Sequence, residues 1–125
     1  MKKILVLGGT GFVGTTLCEH LARDGWAITL ATRRRRHARH LQHLPTLTVV
    51  EVDVHDEAAL SQAVAGHTAV VNLIAILHGT PAAFEHVHVE LPQKLARACQ
   101  AHSIHQCVHI SALGVQDQEP NAAPS

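Results

Sequence analysis

The stretch KILVLGGTGFVGTTL, residues 3–17, places four glycines within seven residues, between an apolar run and a helical pattern. Glycine loses the most backbone freedom on folding, so the cluster needs a cause other than packing. Gly8, Gly11 and Gly14 recur at three-residue intervals. A tight turn there requires positive φ, and a closely bound anion leaves no room for a β-carbon. The stretch therefore predicts a strand, an anion-binding turn and a helix whose N-terminus faces the anion.

Strand and helix patterns alternate along the rest of the chain. Apolar, β-branched runs predict strands at residues 3–8, 26–32, 47–54, 68–77 and 106–113. Helical stripes lie between them, and Asp56 and Thr80 are placed to cap two of the helices. Pro92 lies inside the last helical pattern and should interrupt its hydrogen bonds. Because strands alternate with helices, we expect an α/β fold with a parallel sheet. The glycine turn after the first strand is typical of a doubly wound sheet in the order 3-2-1-4-5.

The stripe of the first predicted helix consists of Val13, Leu17 and Leu21. A second, shorter helix is expected over the arginine- and histidine-rich residues 34–44. The glycine turn belongs to the first of the strand–helix units. This position favours nucleotide binding over a plain strand–turn–helix connection whose glycines bind no ligand. A Walker-type phosphate loop is excluded, because no lysine precedes Thr15 and Thr16.

Length and composition limit the class of protein. The chain has 125 residues and 46% hydrophobic content, which suits one domain with one core. We assign residues 1–115 to that domain and the polar residues 116–125 to a loop or tail. Ten basic and ten acidic residues give no net charge, so composition implies no nucleic-acid partner.

Cysteine usage and apolar runs bear on location. The three cysteines form no close-spaced motif, and their odd number argues against a disulfide framework. The apolar run at residues 4–7 is too short for a signal peptide, and the nine-residue run at 69–77 is too short for a membrane span. The twelve histidines show no recognised ligand spacing, so no metal site is predicted. We expect a cytoplasmic protein.

Cofactor choice depends on the residue after the second strand. A site that prefers NAD usually has an acidic residue there, about twenty positions past the glycines. This chain has Arg33 instead, nineteen residues beyond Gly14, and Arg34 follows it. A guanidinium suits a 2′-phosphate, so NADP(H) is favoured over NAD(H). The alternatives for the arginine run are a solvated helix start and a nucleic-acid patch, and the 2% aromatic content disfavours the patch.

The motif GGTGFVG resembles the glycine motif of the extended and atypical short-chain dehydrogenase/reductase superfamily. The motifs ATRR, VDV, NLIA and HISALG stand at the four later strand ends, as they do in that superfamily. Residues 70–96 resemble the branch that contains the NADPH-binding accessory subunit of respiratory complex I. The resemblance covers essentially the whole chain and corresponds to the N-terminal portion of longer proteins.

The resemblance implies a set of cofactor contacts. Asp53 would accept a hydrogen bond from the adenine amino group, beside the backbone of Val54; the alternative is that Asp53 caps the next helix. The backbone after the fourth strand would pass along the ribose and nicotinamide. Together with Arg33 and Arg34, the implied cofactor-binding residues are Gly8, Thr10, Gly11, Phe12, Val13, Gly14, Asp53, Val54, Leu73, Ile74 and Ala75.

Catalysis is the weakest part of the resemblance. Ser111 stands where the superfamily keeps the serine that orients a substrate carbonyl, but the chain has no tyrosine and no lysine after Lys94. His88 stands where many relatives have asparagine. We therefore expect either a portion of a longer oxidoreductase-like protein, which we favour, or a module that binds nucleotide without turnover.

Three functional classes stay open on the sequence alone. They are an NADP(H)-dependent oxidoreductase, a cofactor-sensing or complex-assembly module, and a flavin- or mononucleotide-binding protein. Possible assemblies are a homodimer through the helix at residues 82–101 and association with a membrane complex. The isolated chain is expected to associate, because the last strand leaves an uncovered sheet edge.

Overall fold

The computed structural model describes residues 2–8, 10–74 and 80–110, without the side chains of Phe84 and His88. The strands of this part are Lys3–Leu7 (β1), Ala27–Thr32 (β2), Leu47–Glu51 (β3), Ala69–Asn72 (β4) and Gln106–His109 (β5). Its α-helices are Phe12–Arg23 (α1), Glu57–Val64 (α2), Pro81–Glu85 (α3) and Leu91–Ala101 (α4). A 3₁₀ helix spans Arg35–Leu41, and a π-helical turn, His86–Glu90, joins α3 to α4.

The strands form one sheet in the order β3-β2-β1-β4-β5, and every pair is parallel. This confirms the predicted fold class and strand order. The direction in which the sheet is built reverses between β1 and β4, so the connections from these two strands diverge. A crevice at the carboxyl ends of the strands is expected at such a point.

Two apolar cores cover the faces of the sheet. Leu5, Leu7 and Val70 face the core beneath α2 and α4, whereas Val6 and Leu30 face the core beneath α1 and the 3₁₀ helix. β1 is buried on both faces from its second residue onward, which explains its continuous apolar sequence. Each leucine that is fully buried contributes about 1.5–3 kcal/mol to folding.

Four strands, β1, β3, β4 and β5, end earlier than the sequence predicts. β1 stops at Leu7, which pairs with Asn72, and Asn72 in turn pairs with His109. β3 stops at Glu51, which pairs with the last residue of β2. Because each strand has lost its neighbour beyond these positions, residues 52–54 and 73–74 form loops instead of strand ends. The predicted extensions at residues 75–77 and 111–113 lie outside the described residues.

Two of the three residues predicted for the α1 stripe, Leu17 and Leu21, pack partly buried against the core beneath α1, but the third, Val13, does not. Gly14 and Cys18 are buried, whereas Val13 is exposed. Successive residues of an α-helix are 100° apart, so Val13 projects to the side of the line that faces the sheet. The 3₁₀ helix replaces the longer helix expected at 34–44 and packs on the sheet through Ala38 and Leu41.

The helix boundaries agree with the predicted caps. Asp56 accepts from the N–H groups of Ala58 and Ala59, and the Thr80 hydroxyl accepts from Ala83. The expected interruption near Pro92 takes the form of the π-helical turn that directly precedes α4. Within the described ranges, no helix is long and apolar enough to cross a membrane.

Candidate functional site

A cleft of about 390 Å³ opens at the carboxyl ends of the strands, between the loops that follow β1, β2, β3 and β4. The sequence predicted half of the residues that line it. Six cofactor-binding candidates meet there: Gly8, Arg33, Arg34, Val54, Leu73 and Ile74. Residues that are far apart in the chain therefore converge on one concave surface.

Gly8 forms the floor of the cleft at the end of β1. Its φ of +78° is one that residues with a side chain rarely adopt. A β-carbon there would lie 2.6 Å from Cγ1 of Ile74, which follows β4. The backbone is held by hydrogen bonds from Gly8 N–H to the Ala31 carbonyl and from Thr10 N–H to the Gly8 carbonyl. The fold therefore requires glycine at position 8, whether or not a ligand binds.

Gly11 presents a different case at the start of α1. Its φ of −88° and ψ of −164° form an extended conformation that any type of residue can adopt. A β-carbon added at Gly11 would have no atom of the described residues within 4 Å, apart from its chain neighbours and the backbone of its own helix. Neither backbone conformation nor described packing explains the glycine, so this space fits the close approach of a ligand.

The first turn of α1 also presents unused hydrogen-bond donors. The first four N–H groups of a helix have no partner within it. Gly11, the N-cap residue, has no side chain to accept from them, and the first turn contains no acidic residue. Phe12 and Val13 are 86% and 56% exposed, whereas Gly14 is buried. These donors and the helix dipole suit a phosphate group.

Arg33 and Arg34 enter the cleft from the loop after β2. The Thr32 hydroxyl accepts from Arg34 N–H and donates to the Arg34 carbonyl, which fixes the start of this loop. The Glu51 carboxylate accepts from the backbone N–H of Arg35 at 2.8 Å. Both Arg33 and Arg34 are exposed, and their guanidinium groups form no hydrogen bond or ion pair with the described residues.

Asp53 and Val54 have separate positions in the loop after β3. Val54 is buried and lines the cleft. Asp53 is exposed, and its Oδ1 accepts from His55 N–H at 3.0 Å. One carboxylate oxygen thus stabilises the turn before α2, as the capping alternative suggested, and the contact of Asp53 with adenine stays a prediction.

Asn72 holds the loop after β4. Its buried side chain accepts from Ile74 N–H at 3.0 Å and donates to His109 Nδ1 at 3.1 Å. Because the amide is satisfied on both sides, Asn72 fixes the position of Ile74, which packs over Gly8. Its role here is therefore to shape the cleft.

Sequence reasoning missed the other six described residues that line the cleft, which are Ala31, Thr32, His37, Val52, His55 and Val87. The His55 ring stacks on His86 at a centroid distance of 3.8 Å. Burial, followed by the nearby His86, lowers the pKa of His55. No short-range pattern marks this pair, because it forms only when the π-helical turn packs beside the β3–α2 loop.

The remaining candidates fall into two groups. Ala75 and Ser111 lie outside the described residues, so their predicted roles are untested. Thr10, Phe12 and Val13 lie in the turn and first helical residues beside the cleft without lining it. The described residues contain no group of three His, Cys, Asp or Glu side chains that could hold a metal ion.

Known proteins resemble the chain over nearly its whole length. The mitochondrial NADH-ubiquinone oxidoreductase 40 kDa subunit of Neurospora crassa is 27% identical over 121 residues, which are 94% of this chain and 32% of that subunit. A dTDP-glucose 4,6-dehydratase of Streptomyces niveus is 28% identical, over 97% of this chain and 41% of the enzyme. The chain therefore spans about a third of the length of these relatives.

The chain also resembles a solved structure of a dehydrogenase. A uronate dehydrogenase mutant from Agrobacterium tumefaciens, complexed with NAD, superposes with a TM-score of 0.72 and 27% identity. The match covers 89% of this chain and 41% of the dehydrogenase. Residues 8–125 match the family described as NAD(P)H-binding. The resemblance predicted from the motifs is confirmed, and the chain belongs to the NAD(P)H-binding family of Rossmann domains.

Proposed function

We propose that this chain binds NADP(H) in preference to NAD(H), as part of an oxidoreductase-like protein related to nucleotide-sugar dehydratases. The observation that carries the preference is the position of Arg33 and Arg34. Both line the cleft, and none of the described lining residues is an aspartate or glutamate. A carboxylate would favour the 2′-hydroxyl of NAD(H), whereas guanidinium groups favour a 2′-phosphate.

The other parts of the site have distinct tasks in this proposal. The uncapped N-terminus of α1 binds the pyrophosphate through backbone N–H groups, and Gly11 leaves room for it. Val54, Leu73 and Ile74 provide apolar surface for the rings. The bound cofactor would supply hydride transfer, and these residues would bind and orient it.

A second candidate is a cofactor-binding module without turnover. The likeness to complex I subunits supports an assembly role, with attachment to a membrane complex through protein contacts. In either case the cofactor site is the same, and we propose a cytoplasmic location, which the three unpaired cysteines support.

The test is a parallel calorimetric and thermal-shift titration of the full chain with NADPH and NADH. Ligand at a hundred times its dissociation constant should stabilise the fold by about 2.7 kcal/mol. We expect tighter binding of NADPH, and we expect Arg33→Asp to reduce that preference by about tenfold or more. Equal affinities for both cofactors that persist in Arg33→Asp would contradict the proposal.

Arg36→Asp is the matched control. Arg36 belongs to the same run and is equally exposed, but it does not line the cleft. The substitution changes the net charge by the same amount as Arg33→Asp. A loss confined to Arg33→Asp therefore identifies a local contact, whereas equal losses would indicate only the overall field of the segment.

A further inference from the structure

Two histidines line the cleft together with Arg33 and Arg34. His37 lies on the same side as Arg33 and Arg34, and His55 belongs to the loop after β3. The charge of Arg33 lowers the pKa of His55, so the two groups influence each other across loops. Cationic groups that converge without a lining carboxylate make a site for an anion.

The His55 ring is held in a fixed position. The Asp53 carboxylate accepts from its backbone N–H, and Lys94 Nζ donates to its carbonyl at 2.9 Å. The ring stacks on His86, whose Nδ1 donates to Glu90 at 2.7 Å. His55 Nδ1 is enclosed and has no hydrogen-bond partner, and the ring makes no side-chain hydrogen bond with the described residues.

The charges that face His55 mostly oppose its protonation. Besides burial, the positive groups are His86 on the π-helical turn, Lys94 on α4 and Arg33 after β2, and all of them lower its pKa. Asp53, on its own loop, acts in the opposite direction. In the unliganded protein the ring is therefore mostly uncharged at neutral pH.

We propose that His55 takes up a proton when NADP(H) binds and becomes a ligand of its 2′-phosphate, so that preference for the phosphorylated cofactor increases as pH falls. This inference rests on the proposed function. The imidazolium donates a charge-assisted hydrogen bond to the phosphate, and the proton comes from solvent. NAD(H), which has no such phosphate, gains nothing from the protonated ring.

The sign of the pH dependence follows from linkage. The bound anion raises the pKa of His55 above its lowered value in the unliganded protein. Affinity for NADPH then increases as pH falls through the bound-state pKa, and levels off below the unliganded one. Between pH 8 and pH 6 we expect an increase of about threefold to tenfold for NADPH and no comparable change for NADH.

The first experiment counts protons in calorimetric titrations of the full chain at pH 7, in two non-phosphate buffers with different ionisation enthalpies. We expect net uptake, up to about one proton, with NADPH and no uptake with NADH. The phosphate itself cannot supply this signal: its second pKa is near 6, and binding as a dianion would release protons. Equal proton counts for the two cofactors would overturn the inference.

The second experiment locates the proton. His55→Gln keeps a polar side chain of similar size but cannot be protonated, so it should abolish the uptake and flatten the NADPH affinity profile. His37→Gln is the control within the cleft, and His102→Gln is the control outside it, where His102 pairs with Ser61. Uptake that survives in His55→Gln, or that is lost only in His37→Gln, would refute the assignment to His55.

The failure of this inference is distinguishable from that of the proposed function. If NADPH does not bind at all, both are wrong. If NADPH binds more tightly than NADH through Arg33 but with the same affinity at pH 6 and pH 8, the proposed function stands and the role of His55 is refuted.

Discussion

The N-termini of α1 and α2 are built in opposite ways on the same sheet. α2 begins at Asp56, whose Oδ1 accepts from two backbone N–H groups at 3.1 and 3.3 Å, and Glu57 adds a negative charge to its first turn. α1 begins at Gly11 with no side-chain acceptor and no acidic residue. The chain thus completes one helix end with its own atoms, whereas the described residues provide no side-chain acceptor for the other.

Under our proposal, this difference distinguishes a helix end that the protein completes itself from one that a ligand completes. A cap such as Asp56 contributes about 1 kcal/mol, so leaving α1 without one reduces the stability of the unliganded fold. The negative charge that α1 lacks can be supplied by a bound phosphate. This interpretation separates glycines required by the fold, such as Gly8, from a glycine required by the ligand, such as Gly11.

The largest expected effect concerns the glycine required by the fold. Gly8→Ala places a β-carbon 2.6 Å from Ile74 Cγ1 and imposes a side chain on a φ of +78°. Left-handed strain and overpacking together should lower the free energy of unfolding by about 2–5 kcal/mol. Denaturant unfolding without cofactor measures this change.

Gly25→Ala is the matched control for Gly8→Ala. Gly25 follows α1 with a φ of +85°, but no atom lies within 4 Å of its β-carbon position. It carries the backbone strain without the clash, so we expect a loss of only about 1–2 kcal/mol. Equal losses at the two positions would mean that Ile74 moves away easily and does not fix the turn.

A smaller effect is expected at the capped helix end. Asp56→Ala removes the acceptor of the Ala58 and Ala59 N–H groups and should destabilise the unliganded fold by about 1 kcal/mol. Asp56→Asn caps about equally well and should retain nearly all of the stability. If Asp56→Ala unfolds at the same denaturant concentration as the parent chain, the cap contributes nothing and the contrast with α1 loses its meaning.

The contrast between these helix ends also explains how much could be predicted from the sequence. Asp56, Thr80 and the glycine turn were recognisable because capping and turn formation depend on a few neighbouring residues. The parallel sheet followed from the alternation of elements, and its strand order followed from the glycine turn after β1. The ends of the strands could not be predicted in this way. β3 and β4 end where their pairing partners β2 and β1 end, and pairing is not visible in the sequence of a single strand.

The cleft was predictable only in part, for the same reason. Gly8 and Arg33 belong to local motifs with a known spacing, so their positions could be expected. His55 enters the site because a π-helical turn places His86 against it. Contacts between distant segments leave no periodic signal, and a histidine among twelve carries little information alone.

The smallest expected effect on stability concerns the uncapped helix end. Gly11→Ser supplies the missing acceptor at a backbone conformation that suits a cap, and should stabilise the unliganded fold by a few tenths of a kcal/mol, about 0.3. The same hydroxyl group occupies the space and the N–H groups that a phosphate would use. We therefore expect NADPH to raise the melting temperature of Gly11→Ser much less than that of the parent chain. A stabilised variant that keeps its full response to NADPH would show that α1 does not bind the cofactor.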